Sequence, residues 1–201
     1  LRLINAGKIA GKVLGGTSCG GAEGAGVLGT NAIATNTWYH VTWTYNGSVH
    51  LLYLNGVVNN SSTESCTFVT NTEPLWIGRQ ASYFNGMIDD LRIYNYVRTP
   101  KQIISDMNAG HPAVGSPIGS ATAWWGFDEG YGTTAHDRSI NANDLTLSAA
   151  SWSNSGKLGK AWNGTGSVWL TRADDDDLDF AAADDFTIST WFKSDSATNP
   201  A

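Results

Sequence analysis

Asp89 is the residue whose type and position most clearly call for chemistry. It lies in an alternating run, on the face that also carries Met87, Leu91 and Ile93. A period of two places such residues on one side of a strand, so the Asp89 carboxylate is predicted to point into the protein. A buried carboxylate needs a cation, an arginine or several N–H donors as its partner. The sequence does not decide among these three kinds of partner for Asp89. The candidate arginine is Arg92.

Side chains arranged for catalysis are not evident. No strand offers an alternating pair of acids aimed at a cleft, whereas retaining glycoside hydrolysis needs two carboxyl groups about 5–5.5 Å apart. His40 lies on the polar face of its strand and is predicted to be a surface imidazole. None of the histidines has a Ser or Cys context resembling a catalytic triad; they are His40, His50, His111 and His136. We therefore expect a protein that is not an enzyme.

Composition excludes several classes of protein. The chain has 201 residues, with 12 Lys+Arg against 18 Asp+Glu and a net charge of −6. This acidic balance, with no basic cluster, argues against nucleic acid and anionic membrane surfaces as partners. No apolar run approaches the roughly 18 residues needed to cross a bilayer, so we expect no membrane insertion. The 23 glycines and the nine tryptophans favour short strands joined by tight turns.

Two cysteines, Cys19 and Cys66, lie far apart in the sequence. Neither has a CxxC partner or a histidine at metal-binding spacing, so zinc is not indicated. They are interpreted as a disulfide formed in an oxidising compartment, with two unrelated buried thiols as the alternative.

Hydrophobic alternation predicts strands along most of the chain. Tyr39, Val41, Trp43 and Tyr45 alternate with polar residues, and the Asn-Gly pair at 46–47 is a strong hairpin signal. Further strand-like runs are residues 3–13, 49–54, 67–70, 75–78, 87–94, 123–127, 145–147, 161–163, 167–170 and 186–193. Short strands separated by Gly and Asn indicate an antiparallel β-sandwich or barrel.

One short helix and one linker interrupt the strands. Thr99 is predicted to be the helix N-cap, Pro100 the first helical residue and Gln102 the second partner of a capping box. Gly110 is predicted to end the helix. Residues 111–120 are rich in Gly and Pro and have no periodicity, so they are interpreted as a linker.

Several longer motifs occur on both sides of this linker. They are TWYHV (37–41), YLNG (53–56), LWIG (75–78) and FNGMIDDLRIY (84–94), then WWGFDEG (124–130), DRS (137–139), GKA (159–161) and DFTISTW (185–191). This set resembles the laminin-G-like, concanavalin-A-like superfamily. The first group is similar to the back half of such a domain, and the second group is similar to its front half.

The resemblance implies an all-β fold, an antiparallel β-sandwich of jelly-roll type with one short helix, assembled from two half-domains. Residues 1–110 would be the C-terminal half, residues 111–120 the linker and residues 121–201 the N-terminal half. The chain could be cut from a tandem array, could close its halves on each other as a circular permutant, or could complete a neighbouring chain. Compared with the family, a short strand-and-loop piece is missing between Ala201 and Leu1. Isolated halves are disfavoured because each would expose an apolar sheet face and unpaired edges.

The resemblance also implies a calcium ion. Related folds often place a structural calcium at the aspartate that corresponds to Asp89. The ligands implied here are Asp89, Glu129 and Asp137, with Asn141 and Asn143 completing the six to eight oxygens that calcium prefers. Such an ion would fasten the two halves together, because its ligands come from both. Glucanases of the superfamily carry a Glu-x-Asp-x-x-Glu pattern on one strand, and this chain has no such triplet.

The function implied by the resemblance is a non-catalytic extracellular or cell-surface module of a large repetitive surface protein, acting in adhesion or in recognition of glycans or proteins. Trp152, Trp162, Trp169 and Trp191 could form a sugar-stacking surface, although Trp at strand spacing more often fills a core. The alternative is a structural subunit of an extracellular filament, in which neighbouring copies of the chain complete each other head to tail. A carbohydrate-binding module of a polysaccharide-degrading enzyme is a third class.

Overall fold

The computed structural model of the chain describes residues 1–4, 7–13, 25–64, 72–79, 82–108, 121–180 and 184–196. Within these residues the chain forms short strands and one α-helix. The elements are β1 (Arg2–Ile4), β2 (Lys8–Val13), β3 (Ala25–Ala32), β4 (Trp38–Tyr45), β5 (Val49–Leu54), β6 (Val57–Thr63), β7 (Leu75–Ile77), β8 (Asn85–Tyr94), α1 (Pro100–Met107), β9 (Ala123–Trp125), β10 (Thr134–Ala135), β11 (Leu145–Leu147), β12 (Trp152–Ser153), β13 (Ala161–Thr165), β14 (Leu170–Arg172), a 3-10 turn (Asp176–Leu178) and β15 (Phe186–Ser194).

The larger layer is an eight-stranded antiparallel sheet. Its order is β12-β13-β8-β15-β4-β5-β6, and β9 also pairs with β8. Strand β15 is central: Ile188 lies opposite Ile93 of β8 on one side and Trp43 of β4 on the other. The predicted all-β antiparallel architecture with one short helix is therefore confirmed for the described residues.

The opposing layer is divided into two pieces. The three-stranded piece, β1-β2-β3, packs on β4, where Gly11 approaches Trp43 so closely that a Cβ would come within 2.5 Å of the indole. The four-stranded piece, β10-β11-β14-β7, packs on β8, where Ile77 shares a buried cluster with Leu91. Each piece thus covers its own hydrophobic cluster. The residues that contact both clusters are Phe84, Ile88, Phe180 and Ile188.

The β4–β5 hairpin forms as its sequence predicts. Val41 and Trp43 are buried in the core, and the turn follows directly after the strand. Asn46 Oδ1 accepts hydrogen bonds from the N–H of Ser48 at 3.2 Å and of Val49 at 2.7 Å. Gly47 has a φ of 82°, a conformation that glycine adopts without steric cost.

Helix α1 begins with the predicted capping box and covers the outer face of the larger sheet. The Thr99 hydroxyl accepts from the N–H of Gln102, and the Gln102 side chain accepts from the N–H of Thr99 at 2.8 Å. Ile103 is fully buried, and Trp191 of β15 donates its indole N–H to the Met107 carbonyl at 3.2 Å. The outer face of β15 therefore lies beneath the helix.

Buried charges hold the helix against the sheet. Arg92 of β8 bonds to Asp90 at 2.9 Å and to Asp106 of α1 at 3.0 Å. Arg98 donates through Nε to Asp106 Oδ2 at 3.0 Å. All four side chains are nearly inaccessible to solvent, so each charge depends on its partners rather than on water.

Strands from both sides of the predicted linker share hydrogen bonds. β8 pairs with β13, β15 and β9, β4 pairs with β15, and β7 pairs with β14. The assignment of residues 1–110 and 121–201 as the two halves of a laminin-G-like domain stays a prediction. The linker at 111–120 lies outside the described residues.

Replacing Asp106 tests the importance of this ion network. Asp106→Asn removes the charge that two buried arginines share, and we expect the free energy of unfolding to fall by about 3–5 kcal/mol. Urea denaturation followed by tryptophan fluorescence measures it. The matched control is His136→Ala, which breaks an exposed pair with Asp144 and should cost less than about 1 kcal/mol. Equal losses in the two variants would contradict the role given to Asp106.

Candidate functional site

The predicted metal ligand Asp137 organises the loop that follows β9. Its Oδ1 accepts the N–H groups of Trp124 and Ser139, both at 2.8 Å. Its Oδ2 accepts the Ser139 hydroxyl at 2.6 Å and the Asn143 N–H at 2.8 Å. A carboxylate offers about four acceptor sites, so these four bonds use the acceptor capacity of Asp137.

The two predicted asparagine ligands belong to the same loop. Asn141 and Asn143 both donate their side-chain amides to the Thr122 carbonyl, at 3.0 Å and 3.5 Å. The Asn143 side-chain oxygen accepts from Arg172 Nε at 3.3 Å, and its carbonyl accepts the Trp125 indole N–H at 2.8 Å. The amides therefore tie the loop to β9 and β14.

Glu129 lies at the other end of this loop. Its Oε1 accepts the N–H of His136 at 2.9 Å, and its carbonyl accepts Lys160 Nζ at 3.3 Å. The Oε2 atom is buried and has no hydrogen-bond partner among the described residues. Glu129 thus connects the loop to Lys160, the residue directly before β13.

Asp89 is fully buried, but it does not face the interior of the sandwich as predicted. Asp90 has a φ of 51°, and the pairing of β8 with β15 shifts at this point. The shift turns Ile88 and Leu91 toward the interior of the sandwich. Asp89 lies on the opposite face of the sheet, beside Trp191 and under the loop at 154–160. The prediction from alternation was wrong because a β-bulge inserts one residue and reverses the faces.

The Asp89 carboxylate lies against the backbone N–H groups of Leu158 and Lys157. Oδ2 accepts the Leu158 N–H at 2.7 Å, and Oδ1 is buried without a hydrogen-bond partner among the described residues. Burial raises the pKa of Asp89 to about 7; the nearby charges of Asp90 and Asp128 also raise it, while backbone N–H groups lower it. Arg92, the arginine that the sequence offered, bonds to Asp90 instead.

The five predicted calcium ligands do not converge. Asp137, Asn141 and Asn143 share one loop, while Asp89 lies under another. In the described part of the chain, no three His, Cys, Asp or Glu side chains are grouped as a metal site requires. This arrangement does not fit a calcium ion, which needs six to eight oxygens free to coordinate it. Calcium binding itself stays a prediction, and the cysteines of the predicted disulfide, Cys19 and Cys66, lie outside the described residues.

A histidine–serine pair lies beneath helix α1. His40 Nε2 is 2.9 Å from Ser189 Oγ, which is 3.1 Å from Thr42 Oγ1. His40 is only 1% exposed, so the prediction of a surface imidazole was wrong: the Trp191 ring of β15 packs against it, with ring centroids 5.3 Å apart. Burial, with a smaller contribution from the charge of Arg92, lowers the pKa of His40 to about 3. A neutral, covered imidazole cannot accept a proton from a substrate in solvent.

The clearest exposed feature is an aromatic platform formed by Trp76, Arg79, Tyr83 and Trp169. The Arg79 guanidinium lies 4.4 Å from the Trp76 ring centroid and 4.8 Å from that of Trp169. The Tyr83 and Trp169 rings are 5.5 Å apart, and Trp76 is 40% exposed. Arg79 is exposed and has no carboxylate partner among the described residues.

This platform is not the sugar-stacking surface of four tryptophans that the sequence suggested. Trp162 and Trp191 are buried, and Trp152 is half-buried and donates to the Gly132 carbonyl at 2.8 Å. Trp169 alone of that group belongs to the platform. Trp76 was missed, although it alternates with the core residues of LWIG and so must point outward.

Comparison with known proteins gives one match. A family model, the laminin G type described as the concanavalin A-like lectin/glucanases superfamily, matches residues 3–104, just over half of the chain. The chain belongs to this superfamily. The searches of curated proteins and of solved structures found no match. Laminin G-like domains are generally non-catalytic binding modules and are typically extracellular. Among the described residues, no helix is long and apolar enough to span a bilayer.

Replacing Asp89 tests its raised pKa. The native state holds this proton more tightly than the unfolded chain, whose value is 3.8, so the stabilisation is complete below pH 4 and is lost as the pH rises through 7. The amide that replaces the Asp89 carboxyl in the Asp89→Asn variant cannot ionise, so the variant should not lose this stability. The free energy of unfolding of the variant, minus that of the unmodified chain, should therefore be about 1–3 kcal/mol larger at pH 8 than at pH 4. Urea denaturation from pH 4 to 8 measures the difference.

The control for this profile is Asp176→Asn in the exposed 3-10 turn, which should follow the unmodified chain at every pH. A wild-type profile parallel to that of Asp89→Asn would contradict the account. The same measurement in calcium chloride and in EDTA examines the calcium prediction. A calcium-dependent rise of the denaturation midpoint would support that prediction, and the same midpoint in both solutions would contradict it.

Proposed function

We propose that the chain is a non-catalytic recognition module of an extracellular or cell-surface protein and that its aromatic platform binds glycans. The observation that carries this proposal is the exposure of Trp76 beside Tyr83 and Trp169. Aromatic faces offer large, rigid apolar surfaces that can stack on the C–H faces of sugar rings. An exposed aromatic group of this kind is a common mark of a binding surface.

The positive charge of Arg79 favours negatively charged ligands at the platform. A guanidinium presents five N–H donors in a planar fork that matches a carboxylate. Since Arg79 lies over two tryptophan rings without a carboxylate partner among the described residues, it favours saccharides that carry a carboxyl group, such as uronic acids.

The absence of catalysis is part of this proposal. It is supported by the burial of the His40–Ser189 pair and by the lowered pKa of His40. The carboxyl group with the most strongly raised pKa, that of Asp89, is also inaccessible to a polymer substrate.

A discrete module is favoured over the filament subunit. Strand β15 pairs with β4 and β8 of the same chain, so its edges are satisfied without a neighbouring copy. A filament would require these pairs to open and re-form between chains, with no gain in hydrogen bonds. The larger parent protein, its repeats and its adhesive role belong to the proposal and rest on the family alone.

Binding to defined oligosaccharides tests the proposal. We expect the chain to bind oligogalacturonate more tightly than neutral cello-oligosaccharides of equal length in isothermal titration calorimetry. Trp76→Ala and Trp169→Ala should each weaken binding about 10-fold, since removing a central aromatic contact costs 1 kcal/mol or more. Arg79→Ala should weaken binding of the acidic ligand alone.

The matched control is Tyr131→Ala, which removes an aromatic ring that is 80% exposed and is not one of the four residues of the platform. It should leave both affinities unchanged. Equal binding by Trp76→Ala and the unmodified chain would contradict the platform as the site, and no binding to either saccharide class would contradict glycan recognition by it.

A further inference from the structure

We propose that Trp162, a fully buried residue of β13, is a positioning residue for the aromatic platform. The edge of its ring holds the turn that carries Arg79 and Tyr83, and this fixes the guanidinium in the orientation that selects acidic saccharides. The selectivity rests on the proposed glycan site, but the position of Arg79 can be measured without any ligand.

The Trp162 indole contains a polar group that its surroundings do not use. Its N–H is buried and has no hydrogen-bond partner among the described residues. The buried indoles of Trp43, Trp125 and Trp191, in contrast, each donate to an acceptor. A buried donor without a partner costs free energy that a phenylalanine would avoid. The indole at this position is therefore explained by its shape rather than by its N–H group.

The outer end of the Trp162 ring supports the platform turn. A Cβ at Gly164 would lie 2.8 Å from Trp162 Cη2, and a Cβ at Gly78 would lie closer still to the same atom. Since real Cβ atoms essentially never come within 3.0 Å of a neighbour, only glycine lets the ring approach the backbone at both positions. A phenylalanine ring is too short to reach the position of Cη2, so this contact requires a tryptophan.

Strand β13 fixes the base of the turn at two points. The Phe84 N–H donates to the Gly78 carbonyl at 2.8 Å, which closes the base. The Phe84 carbonyl accepts the N–H of Gly166, which directly follows β13, at 3.2 Å. Because Trp162 belongs to β13, the same strand contacts Gly78 through a ring and Phe84 through a hydrogen bond.

Gly78 sets the direction in which Arg79 leaves β7. Its φ is 77°, in the left-handed region that favours glycine. The next residue, Arg79, pairs with Tyr83 in an antiparallel bridge. The guanidinium lies 4.4 Å from the ring centroid of Trp76 and 4.8 Å from that of Trp169, while these two centroids are 6.4 Å apart. A backbone rotation at Gly78 would move the guanidinium away from both rings.

Such a movement affects one class of ligand more than the other. A carboxylate needs the planar guanidinium fork in a fixed orientation. A neutral saccharide stacks on the aromatic rings and makes no ion pair with Arg79. Changes at Trp162 or Gly78 should therefore reduce the preference for acidic saccharides more than they reduce binding as a whole.

Trp162→Phe and Gly78→Ala test the two sides of this contact, since the first shortens the ring and the second places a methyl group against it. Each should lower the ratio of the affinities for oligogalacturonate and for a cello-oligosaccharide of equal length about 10-fold, as expected when a charged hydrogen bond is lost. Calorimetry measures both affinities. Carbon–proton NMR spectra of the free protein should show the Arg79 Cδ protons shifted upfield by the two indoles and moving downfield in each variant.

Two control variants separate this contact from a general loss of stability. Trp43→Phe shortens another buried indole against which a glycine packs, Gly11, but in the other hydrophobic cluster. Gly132→Ala places alanine at a φ of 71°, where no heavy atom of the described residues, apart from its chain neighbours, lies within 4 Å of the new Cβ. Both variants should leave the affinity ratio and the Arg79 resonances unchanged.

The double variant Gly78→Ala/Trp162→Phe adds a test by rescue. The shorter ring leaves room for the added methyl group, so the double variant should bind oligogalacturonate more tightly than the two single losses, added as free energies, would predict. Additive losses would contradict direct contact between the two positions. If Trp162→Phe fails to fold, Gly78→Ala with its Gly132→Ala control provides the affinity ratio and the Arg79 resonances.

The outcomes distinguish this proposal from the glycan site on which it rests. Equal reduction of both affinities with unchanged Arg79 resonances would show a structural role alone and overturn the proposal. An unchanged affinity ratio in Trp162→Phe and Gly78→Ala would overturn it as well. If the unmodified chain binds neither saccharide, the glycan site is refuted, and the Arg79 resonances alone decide the positioning role: it stands if they move in the variants and falls if they do not.

Discussion

The insertion of β15 between β8 and β4 is the interaction on which the rest of the structure depends. β15 comes from the second part of the chain, and both of its neighbours come from the first. Its inner face carries Ile188 and Phe192 toward the hydrophobic clusters, while its outer face carries Ser189 and Trp191 toward helix α1. Without this strand the larger sheet would separate into two sheets with unpaired edges.

The outer face of the sheet is a buried polar layer rather than a second hydrophobic core. Hydrogen bonds and ion pairs link β4, β8 and β15 to the helix through His40, Arg92 and Asp106. Polar groups in such a layer are costly when they lose a partner, so they specify one position for the helix. On the inner face, the described residues of the covering layer form two separate pieces. A groove lined by Ile188 and Phe192 of β15 also contains Trp76 and Arg79 of the aromatic platform.

Local signals predicted much of the fold. The β4–β5 hairpin and the capping box at Thr99 follow from a few adjacent residues, whose effect does not depend on the rest of the chain. The burial of His40 could not be predicted in this way, because its neighbours include Ser189 and Trp191 of β15, and Ser189 lies 149 positions further along the sequence. The orientation of Asp89 was predicted wrongly because the positive φ of Asp90 breaks the alternation, and an Asp-Asp pair gives no clear sign of a bulge.

The candidate site shows the same division between local and distant information. Asp137, Asn141 and Asn143 are close in sequence, and the structure does bring them into one loop. The loop bonds to its own N–H groups, however, and Asp89 does not join it. The platform combines residues from β7 and from the segment before β14, which pair only in the folded chain. Alternation shows that Trp76 points outward, but it does not reveal its neighbour Trp169.

The pairing of β4 with β15 inside one chain is the central claim, and an isotope-filtered NOE experiment tests it directly. Isotopically labelled and unlabelled chains are unfolded together, refolded as an equal mixture, and examined for contacts between Val41 and Thr190, which are opposite each other across these strands. The account predicts the contact in a uniformly labelled sample and its absence between labelled and unlabelled chains. A filtered contact between these two residues would show that each sandwich is completed by a neighbouring chain.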